Sequence, residues 1–127
     1  MLKIVKKTFS VILAFLPPVI WAIFIYYLSA QQVLPSLYLS TWDFLFKKSA
    51  HIFVYGVLYL LLFRSFSQTT ELKNHAKWLL PLVFALAYAT FDELHQTTVP
   101  GRTGTLRDIG FDLLGCNLVL MRKFGYI

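Results

Sequence analysis

Apolar residues along this 127-residue chain gather into four runs, separated by shorter stretches where charges, amides and turn residues concentrate. The first run extends from about Phe9 to Leu28, behind Lys3, Lys6 and Lys7. The second, Ser49 to about Phe66, is broken only by His51 near its start and Arg64 near its end, where a long side chain can snorkel toward lipid headgroups. The third, about Trp78 to Leu94, follows a polar stretch, and the fourth, Leu106 to Met121, closes on Arg122 and Lys123. A hydrocarbon core about 30 Å thick needs helices of roughly this length. The pattern predicts an all-α chain: an integral membrane bundle of four transmembrane helices, at about 9–28, 49–66, 78–94 and 106–121, forming one domain over residues 1–127.

A cleaved leader competes for the first run. Pro17-Pro18 suits the apolar core of such a leader poorly, the run is longer than usual for one, and Leu28-Ser29-Ala30 is a weak cleavage site. The run is therefore read as a retained helix, bent near its prolines.

Composition agrees. The chain is 57% hydrophobic and 14% charged, which removes the ordinary soluble globular class. The net charge of +6 would suit nucleic acid, but the basic residues stand at the ends of apolar runs without forming an aromatic-interleaved patch, so no nucleic-acid partner is expected. They act instead as topology signals. Lys3, Lys6, Lys7, Arg64, Lys73, Lys77, Arg122 and Lys123 fall on one side of a four-pass layout, and Lys47, Lys48, Arg102 and Arg107 on the other. Excess positive charge marks the cytoplasmic side, so both termini are predicted to lie in the cytoplasm. Cys116 is the single cysteine, which leaves no intrachain disulfide and no cysteine-based metal motif.

In this layout the start of helix two, the end of helix three and the start of helix four meet at the outer boundary, and the polar residues meet there too. Lys48, His51 and Tyr55 share one face of helix two, at spacings of three and four. Tyr88, Asp92 and then His95 or Gln96 recur at helical spacing on helix three, with Glu93 about 100° around the axis. Asp108 and Asp112 are one turn apart on helix four, and Gly115 continues their stripe with a residue that permits close helix approach. Pro100-Gly101 suits a type II turn, which can aim Arg102 at the cluster, and Thr105 stands at N-cap spacing before Asp108.

Each residue also has a plain role to set against these. Asp108 can complement the dipole of helix four, Lys48 and Arg107 can snorkel, and His51 can be a core histidine bonded to Asp92 or Glu93. Arg102 can pair with Asp92 or Glu93 to pin the loop, while Tyr55 and Tyr88 can be interfacial aromatics. Charge near mid-bilayer costs about 2.5 to 3.5 kcal/mol per group, so a gathering of acids and bases one or two turns inside their helices has to be paired or functional.

The blocks Lys48-x-x-His51-x-x-x-Tyr55, Tyr88-Ala89-x-x-Asp92-Glu93-x-x-Gln96, Pro100-Gly101-Arg102 and Arg107-Asp108-x-x-x-Asp112-x-x-Gly115, in this order, resemble the VanZ-like membrane proteins. They include Gln96 and not His95. The stretch from Trp21 to Gln32, WAIFIYYLSAQQ, resembles that family's first helix and its exit. Two positions depart from the family pattern: Lys47 stands where an acidic residue is frequent, and Asp112 where asparagine is common, so the family's charge balance is not carried over. The resemblance implies a four-helix protein of the bacterial envelope, in a family named for a member linked to teicoplanin resistance. It implies no settled reaction.

Three functions fit these residues. The first is an outward-facing site for an anionic, lipid-linked headgroup such as a cell-wall precursor, with Lys48, Tyr55, Gln96, Arg102, Asp108 and Asp112 as ligand-binding residues. Arg102 would clamp a phosphate or carboxylate bidentately there, and binding of precursor would touch glycopeptide susceptibility. The second is an intramembrane hydrolase or transferase acting on a lipid or lipid-phosphate headgroup, with His51, Asp92 and Glu93 as its acid and base groups. His51 with Asp92, Glu93, Asp108 and Asp112 offers ligands to a divalent cation, although no tight metal spacing such as H-E-x-x-H supports one. The third is a structural subunit whose ion pairs only lock its helices together.

Overall fold

The computed structural model describes residues 2–32 and 41–127, with side chains from residue 7 onward. Lys3 and Lys6, counted in the orientation reading, have side chains outside the described residues. Among the described residues the chain is all-α, without strands: α1 spans Leu2–Ser29, α2 Thr41–Thr69, α3 Ala76–Gln96 and α4 Leu106–Lys123. Two of these, over Lys7–Ser29 and Thr41–Thr69, are long and apolar enough to cross a membrane.

The four elements answer to the four apolar runs, and the charged residues at their edges explain the differences in length. α2 begins eight residues before Ser49, the expected start. Asp43 in its first turn complements the helix dipole and meets Lys47 one turn on at 2.7 Å, so the charged segment is helical in its own right. α4 extends to Arg122 and Lys123, whose charges suit a helix C-terminus. α1 runs unbroken through Pro17 and Pro18. Pro18 has no N–H to give to the Ala14 carbonyl one turn back. The Ser65 hydroxyl of α2 stands 2.6 Å from that carbonyl, with Leu61 O, 2.8 Å away, as the alternative acceptor. A freed carbonyl is thereby met from the neighbouring helix, as an apolar medium requires.

α2 is the hub, packed against α1, α3 and α4, while α3 also packs on α4. Tyr55, Leu58, Tyr59, Leu62 and Phe66 of α2 form the core with Ile25, Ala85, Ala89 and Cys116. At one end Phe66 meets Phe15 edge-on at 5.1 Å. Hydrogen bonds from Trp21 Nε1 to Val54 O (2.8 Å) and from the Tyr88 hydroxyl to Ala22 O (2.5 Å) tie α1 to α2 and α3. The closest approach joins α2 and α4. A Cβ on Gly115 would collide with the Ile52 carbonyl, and one on Gly56 would stand 3.2 Å from the Gly115 carbonyl oxygen. The close approach expected of Gly115 is thus matched by a second glycine across the contact.

The distribution of polarity is inverted relative to a soluble bundle. Asp112 is 1% exposed and Glu93 4%, whereas Ile23 and Leu94 are each 64% exposed. Acids inside and large apolar side chains outside is the arrangement a hydrocarbon surround selects.

Candidate polar cluster

The ends of α1 and α3 and the beginnings of α2 and α4 share one end of the bundle, and there the polar side chains of three helices interlock. Lys48 pairs with Asp108, its ammonium also lying 5.4 Å from the Phe44 ring centre and 5.6 Å from that of Phe111. One turn deeper, His51 Nδ1 is 2.8 Å from Asp112 Oδ1. One turn deeper again, the Tyr55 hydroxyl donates to Asp92 Oδ2 at 3.1 Å. The three-and-four spacing of Lys48, His51 and Tyr55 therefore makes a ladder, with each rung answered by one carboxylate from α4 or α3.

Glu93 is held from the loop between α3 and α4. Its Oε2 accepts the Thr105 backbone N–H at 2.9 Å. Gly104 makes this contact possible, because a Cβ at that position would overlap the Glu93 carbonyl. The Thr105 hydroxyl accepts from Asp108 N at 3.3 Å, so the predicted N-cap is present and one residue both starts α4 and fixes Glu93. The preceding turn follows the Pro-Gly expectation: Gly101 has a φ of 78°, and Arg102 N donates to Val99 O at 3.1 Å.

Several partners differ from the sequence expectations. Arg102 does not pair with Asp92 or Glu93; its Nε donates to Gln31 O at 2.9 Å and its Nη2 to Leu28 O at 3.0 Å. Leu28 lies in the last turn of α1, where its carbonyl also accepts the Gln31 N–H at 3.3 Å, and Gln31 stands just beyond the helix; carbonyls at a helix C-terminus favour a cation, so they compete well for a guanidinium on a short loop. His51 bonds to Asp112 instead of the acids of α3, and Asp108 is buried in an ion pair besides opening α4. Gln96 is buried beside Asp92 and Glu93 on the last turns of α3. His95 stacks between Tyr26, at 4.5 Å, and Phe91, at 6.5 Å, and has no tie to the ladder. The close contacts at Gly104 and Gly56 have little signal in the sequence, Gly104 showing only as a glycine two residues before the start of α4.

The ladder leaves acceptors over. Asp92 Oδ1, Glu93 Oε1 and Asp112 Oδ2 are all buried without a hydrogen-bond partner. His51, Glu93 and Asp112 each bring one donor atom into a group whose members lie within 4.8 Å of one another. Asp92 and Asp108, also considered as metal ligands from the sequence, are engaged by Tyr55 and Lys48 and stand outside that group. The arrangement can move a proton between imidazole and carboxylate, or hold a cation.

A family model described as VanZ/LLP1 matches residues 5–121. No curated protein and no solved structure matches the chain.

Proposed function

The chain belongs to the VanZ/LLP1 family, and on that premise we propose that it is a four-pass protein of the bacterial cytoplasmic membrane, folded as one domain with both termini inside. Its polar cluster faces the extracytoplasmic side and binds the headgroup of an anionic lipid or lipid-linked cell-wall precursor. A single observation carries this reading: a charged, hydrogen-bonded ladder from three helices converges at one end of a bundle whose outer surface is apolar. A headgroup at that boundary would meet Lys48, Arg102 and Arg107 as cations, with Tyr55, Gln96, Asp108 and Asp112 behind them. Arg102 keeps three of its five donors after bonding to α1, enough to clamp a phosphate oxygen pair. Holding precursor at the outer face is the step by which such a protein would alter glycopeptide susceptibility.

The 2.8 Å His51–Asp112 contact beside Glu93 favours a second reading, hydrolysis or transfer on a lipid-phosphate headgroup with this trio as acid and base. Incubation of the purified full chain with anionic phospholipids and lipid-linked precursors, followed by mass spectrometry, separates the two. Stoichiometric retention is expected, weakened in Arg102→Lys and Glu93→Gln; a new product would select the enzyme. Glu93→Gln keeps an oxygen for the Thr105 N–H, so it removes charge while retaining the anchor. Unchanged binding and phenotype in both folded variants would leave only a structural role for the cluster. Reporter fusions placing residue 127 outside the cytoplasm would overturn the orientation.

A further inference from the structure

We propose that His51, Glu93 and Asp112 form a divalent-cation site, taking an ion of the Mn²⁺ or Zn²⁺ class. The bridging of that cation to a headgroup phosphate rests on the binding function proposed above; the cation site itself does not.

Geometry supplies the first argument. Ligands about 2.1 Å from a metal stand about 3 Å apart when adjacent and about 4.2 Å apart when opposite. The donor atoms of the three residues lie within 4.8 Å of one another, so side-chain rotation without movement of the helices brings them to such separations. The 2.8 Å between His51 Nδ1 and Asp112 Oδ1 is already close to the edge length of two adjacent ligands. Three helices contribute, α2, α3 and α4, and the α2–α4 glycine contact lies within a turn of both His51 and Asp112. The ligands therefore sit on rigid elements.

The second argument is independent of the clustering of acids. Glu93 and Asp112 are each more than nine-tenths buried, and each keeps one carboxylate oxygen with no partner. Asp92, at 2% exposure, adds a third such oxygen nearby. Buried carboxylate oxygens cost heavily unless a proton, donor or cation meets them. Lys48 pairs with Asp108 and Arg102 bonds to the Leu28 and Gln31 carbonyls, so neither meets these oxygens. One imidazole and two carboxylates are a donor set for borderline and hard divalent ions, and three protein ligands leave coordination positions for water or a phosphate oxygen. His51 is part-buried, with 17% of its side chain accessible, so one ligand of the site is within reach of molecules outside the bundle.

The test uses the full chain in nanodiscs of neutral phosphatidylcholine, titrated with Mn²⁺ and followed by electron paramagnetic resonance. The expected result is one Mn²⁺ per chain, displaced by Zn²⁺, with nitrogen coupling from a single imidazole. Glu93→Gln and Asp112→Asn should weaken binding at least about tenfold, a ligand loss being no milder than loss of a supporting hydrogen bond. His51→Gln should remove the nitrogen coupling, and Asp43→Asn should change nothing. Absence of stoichiometric binding by the unaltered chain, or binding without nitrogen coupling, overturns the site even if a variant fails to insert. Nanodiscs containing phosphatidylglycerol, compared with Mn²⁺ and with EDTA, then separate the two claims. Retention that survives EDTA overturns the bridge and leaves the binding function standing; bound Mn²⁺ with no retention in either condition supports the cation site and overturns the binding function.

Discussion

The Lys48–Asp108 pair gives the most direct measure of how dry the polar end of the bundle is. Its side chains are 13% and 9% exposed, so solvent screening removes little of the interaction, and two aromatic rings flank the ammonium. Lys48→Met leaves the Asp108 carboxylate without a counter-charge, and breaking a buried pair in this way costs about 3 to 5 kcal/mol. Cation–π contact with Phe44 and Phe111 contributes about 0.5 to 1 kcal/mol each to that figure. Asp108→Asn should cost less, because the long lysine stem can turn its ammonium toward the boundary while a carboxylate on the first turn of α4 has no such reach. In the double variant no buried charge remains, so its cost should fall short of the sum of the two single costs by about 2 kcal/mol. That is about a 30-fold difference in the unfolding constant. Steric-trapping measurement of unfolding in bicelles reads all four corners of the cycle. A coupling below about 0.5 kcal/mol would mean that water screens the pair, and with it the case for a desolvated ladder above His51 and Tyr55 would fail.

The α2–α4 contact predicts unequal glycines. Gly115→Ala drives a methyl group into the Ile52 carbonyl and should cost at least about 1 to 3 kcal/mol with a visible shift in helix packing, whereas Gly56→Ala meets the Gly115 carbonyl oxygen at 3.2 Å and should cost no more than about 1 kcal/mol in the same unfolding assay. Equal losses would refute the register of the two helices. Thr105→Ala removes the cap of α4 and should cost about 0.5 to 2 kcal/mol, while Thr105→Ser should recover most of it, and neither should abolish the Thr105 N–H bond to Glu93, which is a backbone contact.

The helix count, the central ladder and the cap were legible because each depends on spacing within one element. Lys48, His51 and Tyr55 share a face by helical geometry alone, and Thr105 followed three residues later by Asp108 is a local signature. The pairing across helices was not legible. Which carboxylate answers His51 depends on the vertical register of α2 against α4, and that register is fixed by Gly56 and Gly115, whose separation in sequence hides their contact. Arg102 illustrates the same limit: the turn that carries it was readable, but the Leu28 and Gln31 carbonyls that receive it are more than seventy residues away. α2 starts ahead of its apolar run because the Asp43–Lys47 pair makes the charged residues before Ser49 helix-forming.

The two ends of the bundle solve the same problem with different groups, and the difference bears on function. Toward the ends of α2 and α1 remote from the ladder, the Ser65 hydroxyl meets the carbonyl freed by Pro18, the Tyr59 hydroxyl donates to Trp78 O at 3.2 Å, and the surrounding contacts are aromatic. Among the described residues no salt bridge joins the helices there, and Lys77 and Lys123 lie 6.0 and 4.1 Å from the Phe63 ring centre. A bundle that needed only cohesion could use such contacts throughout, since apolar replacements for buried ion pairs are often as stable. At the ladder end the chain instead buries Asp92, Glu93, Asp108 and Asp112 and leaves three of their oxygens unmet. Those oxygens need a proton, a donor or a cation to offset their burial. A binding site would meet them with a ligand that brings positive charge and a purely structural cluster would not, so cation binding is the measurement that discriminates most sharply between the two.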